Sequence, residues 1–202
     1  HTSLTMDGKF TKAAAVGTKV VFAPYNADVV GVFDVATNAF EATVSTGSSL
    51  TMDAKFDGAA AVGTKVVFAP WYADVVGVFD VATNTFSTPA TTGTLTMTNK
   101  FGRAVAVGTK VVFAPFRAGV VGVVGVFDVA TNTFDTVTIE SPNEDYGFYG
   151  GAAVGSKVVF APFDADVVGV LDMWAPPPTP PPTTPPPTPP PPAGGGGGGG
   201  GG

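Results

Sequence analysis

Residues 13–28 read AAAVGTKVVFAPYNAD. The same phrase returns as AAAVGTKVVFAPWYAD at 59–74, AVAVGTKVVFAPFRAG at 104–119 and GAAVGSKVVFAPFDAD at 151–166. Anchored on Gly17, Gly63, Gly108 and Gly155, the copies follow at intervals of 46, 45 and 47 residues. A period of this size marks an architecture in which each copy is one supersecondary unit that buries its apolar face against the next.

A single copy spells out its own strands. Ala13–Val16 is a short apolar run, and Gly17-Thr18 is a two-residue Gly-X loop of the type II′ hairpin kind. Lys19–Phe22 then reads as a second strand. Pro24 cannot donate to a ladder, so residues 23–28 are expected to leave the sheet. The β-branched run Val29–Phe33 is a third strand. Asp34-Val35-Ala36-Thr37-Asn38 offers Asx-type turn chemistry, and Ala39–Val44 alternates as a fourth strand. Four strands in about 45 residues is the size of a β-propeller blade. KVVFA and VVGVFDV are apolar at neighbouring positions, which suits strands covered on both faces. The first strand is made of small residues (AAAV, AAAV, AVAV, GAAV), as crowding around a central axis demands.

The predicted fold is therefore all-β, a β-propeller of four-stranded antiparallel blades. Residues 1–174 carry four units, at about 1–46, 47–92, 93–139 and 140–174. The fourth runs from Asp172 into Met173-Trp174 and proline, without the turn and last strand of the others. His1 to Phe10 could supply that strand and close a ring of four. Otherwise the chain is part of a larger ring, with two blade faces left exposed and prone to self-association. From Ala175 the sequence is APPPTPPPTTPPPTPPPPA and then glycine. This tail, 175–202, is expected to be a disordered polyproline and polyglycine segment that buries no core. It is either a spacer or a ligand for polyproline-recognising domains.

Composition excludes several functions. The net charge is −6, against the basic footprint that nucleic-acid binding requires. There is no cysteine, so disulfides and thiolate chemistry are absent, and His1 is the only histidine. A His-based triad or multi-His metal site cannot be built from one terminal residue. No cofactor and no metal site are expected. The longest apolar run, AGVVGVVGVF at 118–127, is well short of the ~18 residues a membrane helix needs. The opening HTSLTMDGKF is polar, with no leader pattern. The chain does not begin with Met, so a fragment or processed product is expected.

The series VGTKVVFAP followed by VGVFDVATNTF resembles the kelch repeat, and also the related YVTN-type propeller repeat. The resemblance rests on Asp34 to Asn38 with Phe40, Asp80 to Asn84 with Phe86, and Asp128 to Asn132 with Phe134. It spans roughly 1–174. Ala-Pro stands where kelch repeats carry a double glycine, and Phe where they carry Trp. The resemblance implies a propeller used mostly for interaction. A few such propellers are similar to galactose oxidase, whose copper site needs His, Tyr and a Tyr–Cys crosslink. The lack of Cys, and of any His but the terminal His1, argues against that activity unless another domain supplies them.

The residues after Phe-Ala-Pro are the candidate binding surface. Each copy has an aromatic there: Tyr25, Trp71, Phe116, Phe163. It is expected to pack at a blade edge. The next position varies freely as Asn26, Tyr72, Arg117 and Asp164, and is expected to face solvent on one side of the ring. Asp28, Asp74 and Asp166 recur before VVG, with Gly119 in the third copy, and are expected to cap their own loop amides. Asp34, Asp80, Asp128 and Asp172 are read as turn residues. Lys19, Lys65, Lys110 and Lys157 beside the hairpin tips are read as solvated. GTK lacks the glycine-rich lead-in of a phosphate loop. The acidic link at 140–149 is read as a divergent connector or a partner epitope. The function expected is a non-catalytic binding or scaffold module for a protein or carbohydrate ligand. A structural wall glycoprotein rich in hydroxyproline is the alternative suggested by the Thr-spaced prolines.

Overall fold

The repeat phrase folds into strands at the same place in every copy. The computed structural model describes residues 4–117, 122–139 and 147–174. The first unit contains β1 (Phe10–Val16), β2 (Lys19–Pro24), β3 (Val29–Asp34) and β4 (Ala39–Ser45). The second contains β5 (Phe56–Val62), β6 (Lys65–Pro70), β7 (Val75–Asp80) and β8 (Thr85–Thr91). The third contains β9 (Phe101–Val107), β10 (Lys110–Pro115), β11 (Val123–Asp128) and β12 (Thr133–Thr138). The last contains β13 (Phe148–Val154), β14 (Lys157–Pro162) and β15 (Gly169–Asp172). Each unit is one antiparallel meander, and the last has three strands among the described residues. There is no helix among them.

The hairpin between β1 and β2 has its positive φ on Gly17 (59°) and none on Thr18, as the II′ geometry requires. The next turn places Asn38, Asn84 and Asn132 in the left-handed region, and Asp34, Asp80 and Asp128 accept the amides of Ala36, Ala82 and Ala130. Two expectations need correction. The first strand begins at Phe10 rather than Ala13, and the second runs on to Pro24. A register shift between Phe10 and Ala13 lies opposite Pro24, where the missing N–H leaves no gap in a regular ladder. Leu4 to Lys9 form no strand, so they do not complete the last blade. His1 to Ser3, Gly119, the acidic link at 140–146 and the tail at 175–202 lie outside the described residues.

The first strands of the units are innermost, with β1 packed on β5, β5 on β9 and β9 on β13. Each junction has two unlike sides. One blade offers a Val/Ala face: Val21, Ala23, Val30 and Val32. The next blade offers Phe56 and Phe68, fully buried, with Phe86 against them. This triad covers Gly77, where a Cβ would sit 2.8 Å from Phe56. The second and third blades repeat the arrangement with Val67, Ala69, Val76 and Val78 against Phe101, Phe113 and Phe134. Val112, Ala114, Val124 and Val126 meet Phe148 and Phe160 of the last. Among the described residues no closed ring is formed. Gly77→Ala should therefore destabilise by about 1–3 kcal/mol through overpacking, a loss that chemical denaturation reads directly.

Candidate functional site

Every second strand ends beside the start of its innermost strand, with Pro24, Pro70, Pro115 and Pro162 opposite Phe10, Phe56, Phe101 and Phe148. The aromatics after Phe-Ala-Pro consequently leave the blade edge expected for them and gather at the centre. Trp71 and Phe116 stack with ring centroids 5.1 Å apart, and Phe163 meets Phe116 edge-on at 5.4 Å. Tyr149, from the innermost strand β13, stands among them: 5.1 Å from Phe116, 5.9 Å from Phe163 and 6.3 Å from Trp71. Its ring lies on Gly102, where any Cβ would collide with it. The Trp71 indole faces the Tyr25 hydroxyl, whose pKa is raised mainly by burial and next by Asp57.

Beneath this aromatic floor is a polar knot from all four innermost strands. The Tyr149 hydroxyl donates to Asp57 Oδ2 at 2.6 Å. Lys12 Nζ stands 3.8 Å from Asp57 Oδ1 and 5.7 Å from the Tyr149 ring centroid. The Arg103 guanidinium lies 5.5 Å from the same ring, in cation–π geometry. The Asp57 side chain is only 4% exposed, and burial pushes its pKa up, outweighing Tyr149 and Lys12, which pull it down. Burial first, and then the hydrogen bond and charge of Asp57, push the Tyr149 phenol up to about 12.

The phenol thus stays protonated in the fold at pH values where the unfolded chain ionises. The stability it contributes is complete below pH 10.0 and is lost as pH rises from there toward about 12. In a tyrosinate absorbance titration, one step near pH 12 should vanish in Tyr149→Phe. Persistence of that step in the variant would show that another tyrosine carries it.

The variable position behaves differently from copy to copy. Tyr72, Arg117 and Asp164 are exposed. Asn26 is half-buried and structural: its amide donates to the Asp7 carbonyl at 2.9 Å and accepts the Ala54 amide at 3.0 Å. It joins two units and is not a free contact residue, because the link between them folds back over it. The Asp before VVG also acts across a junction. Asp28 pairs with Lys55 at 2.8 Å and Asp74 with Lys100 at 2.9 Å, and both lysines are fully buried. The hairpin lysines are not simply solvated either: Lys110 and Lys157 reach Asp128 and Asp172 across the ladder at 2.8 and 2.7 Å.

Asp57, Tyr149, Lys12, Arg103 and the buried lysines were not singled out from the sequence, although a signal existed. The two positions after the repeated Phe read Thr11-Lys12, Asp57-Gly58, Gly102-Arg103 and Tyr149-Gly150. Each pair brings at least one polar side chain into an otherwise small apolar strand. Among the described residues, no group of three or more acidic, His or Cys side chains is placed to hold a metal ion. Nor is any helix long and apolar enough to cross a membrane.

No protein-family model matches the chain, and no curated protein matches it. Solved structures do. The computationally designed Ika4 protein aligns with TM-score 0.59 and 14% identity, over 85% of this chain and 96% of that one. Hydrazine synthase of Kuenenia stuttgartiensis aligns with TM-score 0.62 and 14% identity, over 86% of this chain and 48% of that one. A chain of a nidogen/laminin complex gives 0.57 and 9%, over 78% and 56%. The fold is β-propeller-like. This chain spans about half the length of the last two structures. The likeness is one of fold alone, and it assigns the repeats to neither the kelch nor the YVTN type.

Proposed function

We propose that this chain is a non-catalytic binding module of kelch-like or YVTN-like type, which recognises a protein segment on the aromatic floor at its axis. The observation that carries this reading is the convergence of Tyr25, Trp71, Phe116, Phe163 and Tyr149, drawn from all four units, on one end of the axis. Aromatic side chains held by a rigid scaffold are efficient anchors for a partner, since little entropy is lost on contact. The exposed neighbours Tyr72, Arg117 and Asp164 supply a rim of mixed charge. A peptide suits this surface better than a sugar, because one face of Trp71 is already covered by Phe116.

Selection of a displayed peptide library against the chain tests the reading. Ligands with apolar or aromatic anchors should emerge, and both Trp71→Ala and Phe163→Ala should weaken them at least roughly tenfold. Phe163 is 58% exposed, so its truncation should leave stability within about 1 kcal/mol of wild type. Retention on a glycan array, with no peptide selected, would reassign the ligand to carbohydrate. Ligands indifferent to both substitutions would remove the axial floor from consideration.

A further inference from the structure

The junction built between successive blades is left half-made at each end of the chain. On the last blade, Val168 is 58% exposed, whereas its counterparts Val30, Val76 and Val124 are 1%, 0% and 0% exposed. Val170 is 49% exposed, against 6%, 4% and 7% for Val32, Val78 and Val126. On the first blade, the triad Phe10, Phe22 and Phe40 keeps its ring contacts but is only half-buried, with no Val/Ala face against it among the described residues. It lines an open groove of about 500 Å³ with Gly8, Lys9 and Thr11. The matching residues Phe56 and Phe68 of the second blade are fully buried. The exposed Val face and the half-buried Phe groove are thus the two unlike sides of one interface that the chain already makes three times.

The charges at the two ends match as well. At the first two junctions an Asp before VVG pairs with the Lys before the repeated Phe of the next unit: Asp28 with Lys55, Asp74 with Lys100. At the third junction both members have changed, to Gly119 and Gly147. The equivalent positions at the two ends are Asp166, on the last blade, and Lys9, in the groove of the first. The same two residue types therefore recur at opposite ends of the chain, in the positions that pair at the first two junctions.

We propose that a second copy of this chain covers these faces. The Val168/Val170 face of one copy seats on the Phe10/Phe22/Phe40 groove of the other, Asp166 meets Lys9, and the same contact is made a second time. An interface between unlike patches closes into a ring or continues as a filament, and two identical contacts close it here. This assembly is independent of any ligand at the axis.

Sedimentation equilibrium of the full chain across the micromolar range tests it. The expected mass is twice the 20.2 kDa of one chain. The double variant Val168→Asp/Val170→Asp should fall to one chain mass while keeping its β circular dichroism, because both side chains are exposed in the single chain. Lys9→Glu and Asp166→Lys should each weaken the pair roughly tenfold, and the charge-swapped combination should restore it. A monomer throughout the range would overturn the proposal, as would a dimer that survives Val168→Asp/Val170→Asp. A mass that climbs with concentration would overturn the closed pair in favour of an open chain. Failure of the charge swap to restore a weakened pair would remove Lys9 and Asp166 from the contact.

Discussion

Tyr149→Ala should lower the unfolding free energy by about 3 kcal/mol, the lower end of what truncating a large buried ring costs. The value sits at the lower end because the space left between Trp71, Phe116 and Phe163 opens toward solvent on the side of exposed Phe163 and can fill with water. Two effects add. The first is loss of ring contacts to three aromatics and to the Arg103 guanidinium. The second is loss of the 2.6 Å hydrogen bond to Asp57, a carboxylate almost wholly shielded from water. Tyr149→Phe separates them. It retains the ring and leaves Asp57 with Lys12 at 3.8 Å, so its cost should be about 1–2 kcal/mol. Urea melts of the two variants give both numbers. Equal costs would mean that the hydrogen bond, and not the packing, holds the axis together.

Lys100→Met should cost about 2–3 kcal/mol, although it replaces a charge with an apolar chain of similar length. Lys100 Nζ is fully buried between the second and third blades, where it donates to the Met97 carbonyl at 2.7 Å and the Tyr72 carbonyl at 3.3 Å and pairs with Asp74 at 2.9 Å. Removing the ammonium leaves two carbonyls without their charged donor, and hydrogen bonds to charged groups are worth ~1.5–3 kcal/mol. Asp74 adds little to the cost, since its side chain is 54% exposed and water replaces its partner. Lys110→Met is the control. Its ion pair with Asp128 is equally short, at 2.8 Å, but the lysine side chain is 36% exposed, and the loss should be at most about 1 kcal/mol. Burial, rather than pair distance, is what separates the two substitutions. Similar destabilisation by both would overturn that assignment.

Much of this fold is legible in the sequence. The period, the strand count per unit, the II′ hairpin at Gly17, the turn at Asp34 and the small innermost strand all follow from local chemistry. Turn geometry and strand alternation are decided by a few neighbouring residues. Legibility failed where a side chain acts on another unit. Asp28 read as a cap for its own loop, because nothing nearby in sequence shows that Lys55 is its partner. Asn26 read as a solvent-facing position, because its two partners, Asp7 and Ala54, are 19 and 28 residues away. The aromatic after Phe-Ala-Pro was recognised as a repeated feature, but its destination was missed. Its direction depends on how the blades pack about the axis, which no single unit spells out.

The sequence by itself determined the unit: four strands, their turns, and inner strands apolar enough to be covered on both faces. These are properties of runs a few residues long, in which side-chain size, β-branching and special backbone geometry leave little choice. Only the tertiary structure decided what the unlike positions do. Thr11-Lys12, Asp57-Gly58, Gly102-Arg103 and Tyr149-Gly150 are four unrelated dipeptides in the sequence. In the folded chain, Lys12, Asp57 and Arg103 gather around Tyr149, and Gly102 gives its ring room. The reason is geometric: stacking blades superposes equivalent positions about one axis, so residues about 45 apart in the chain become neighbours.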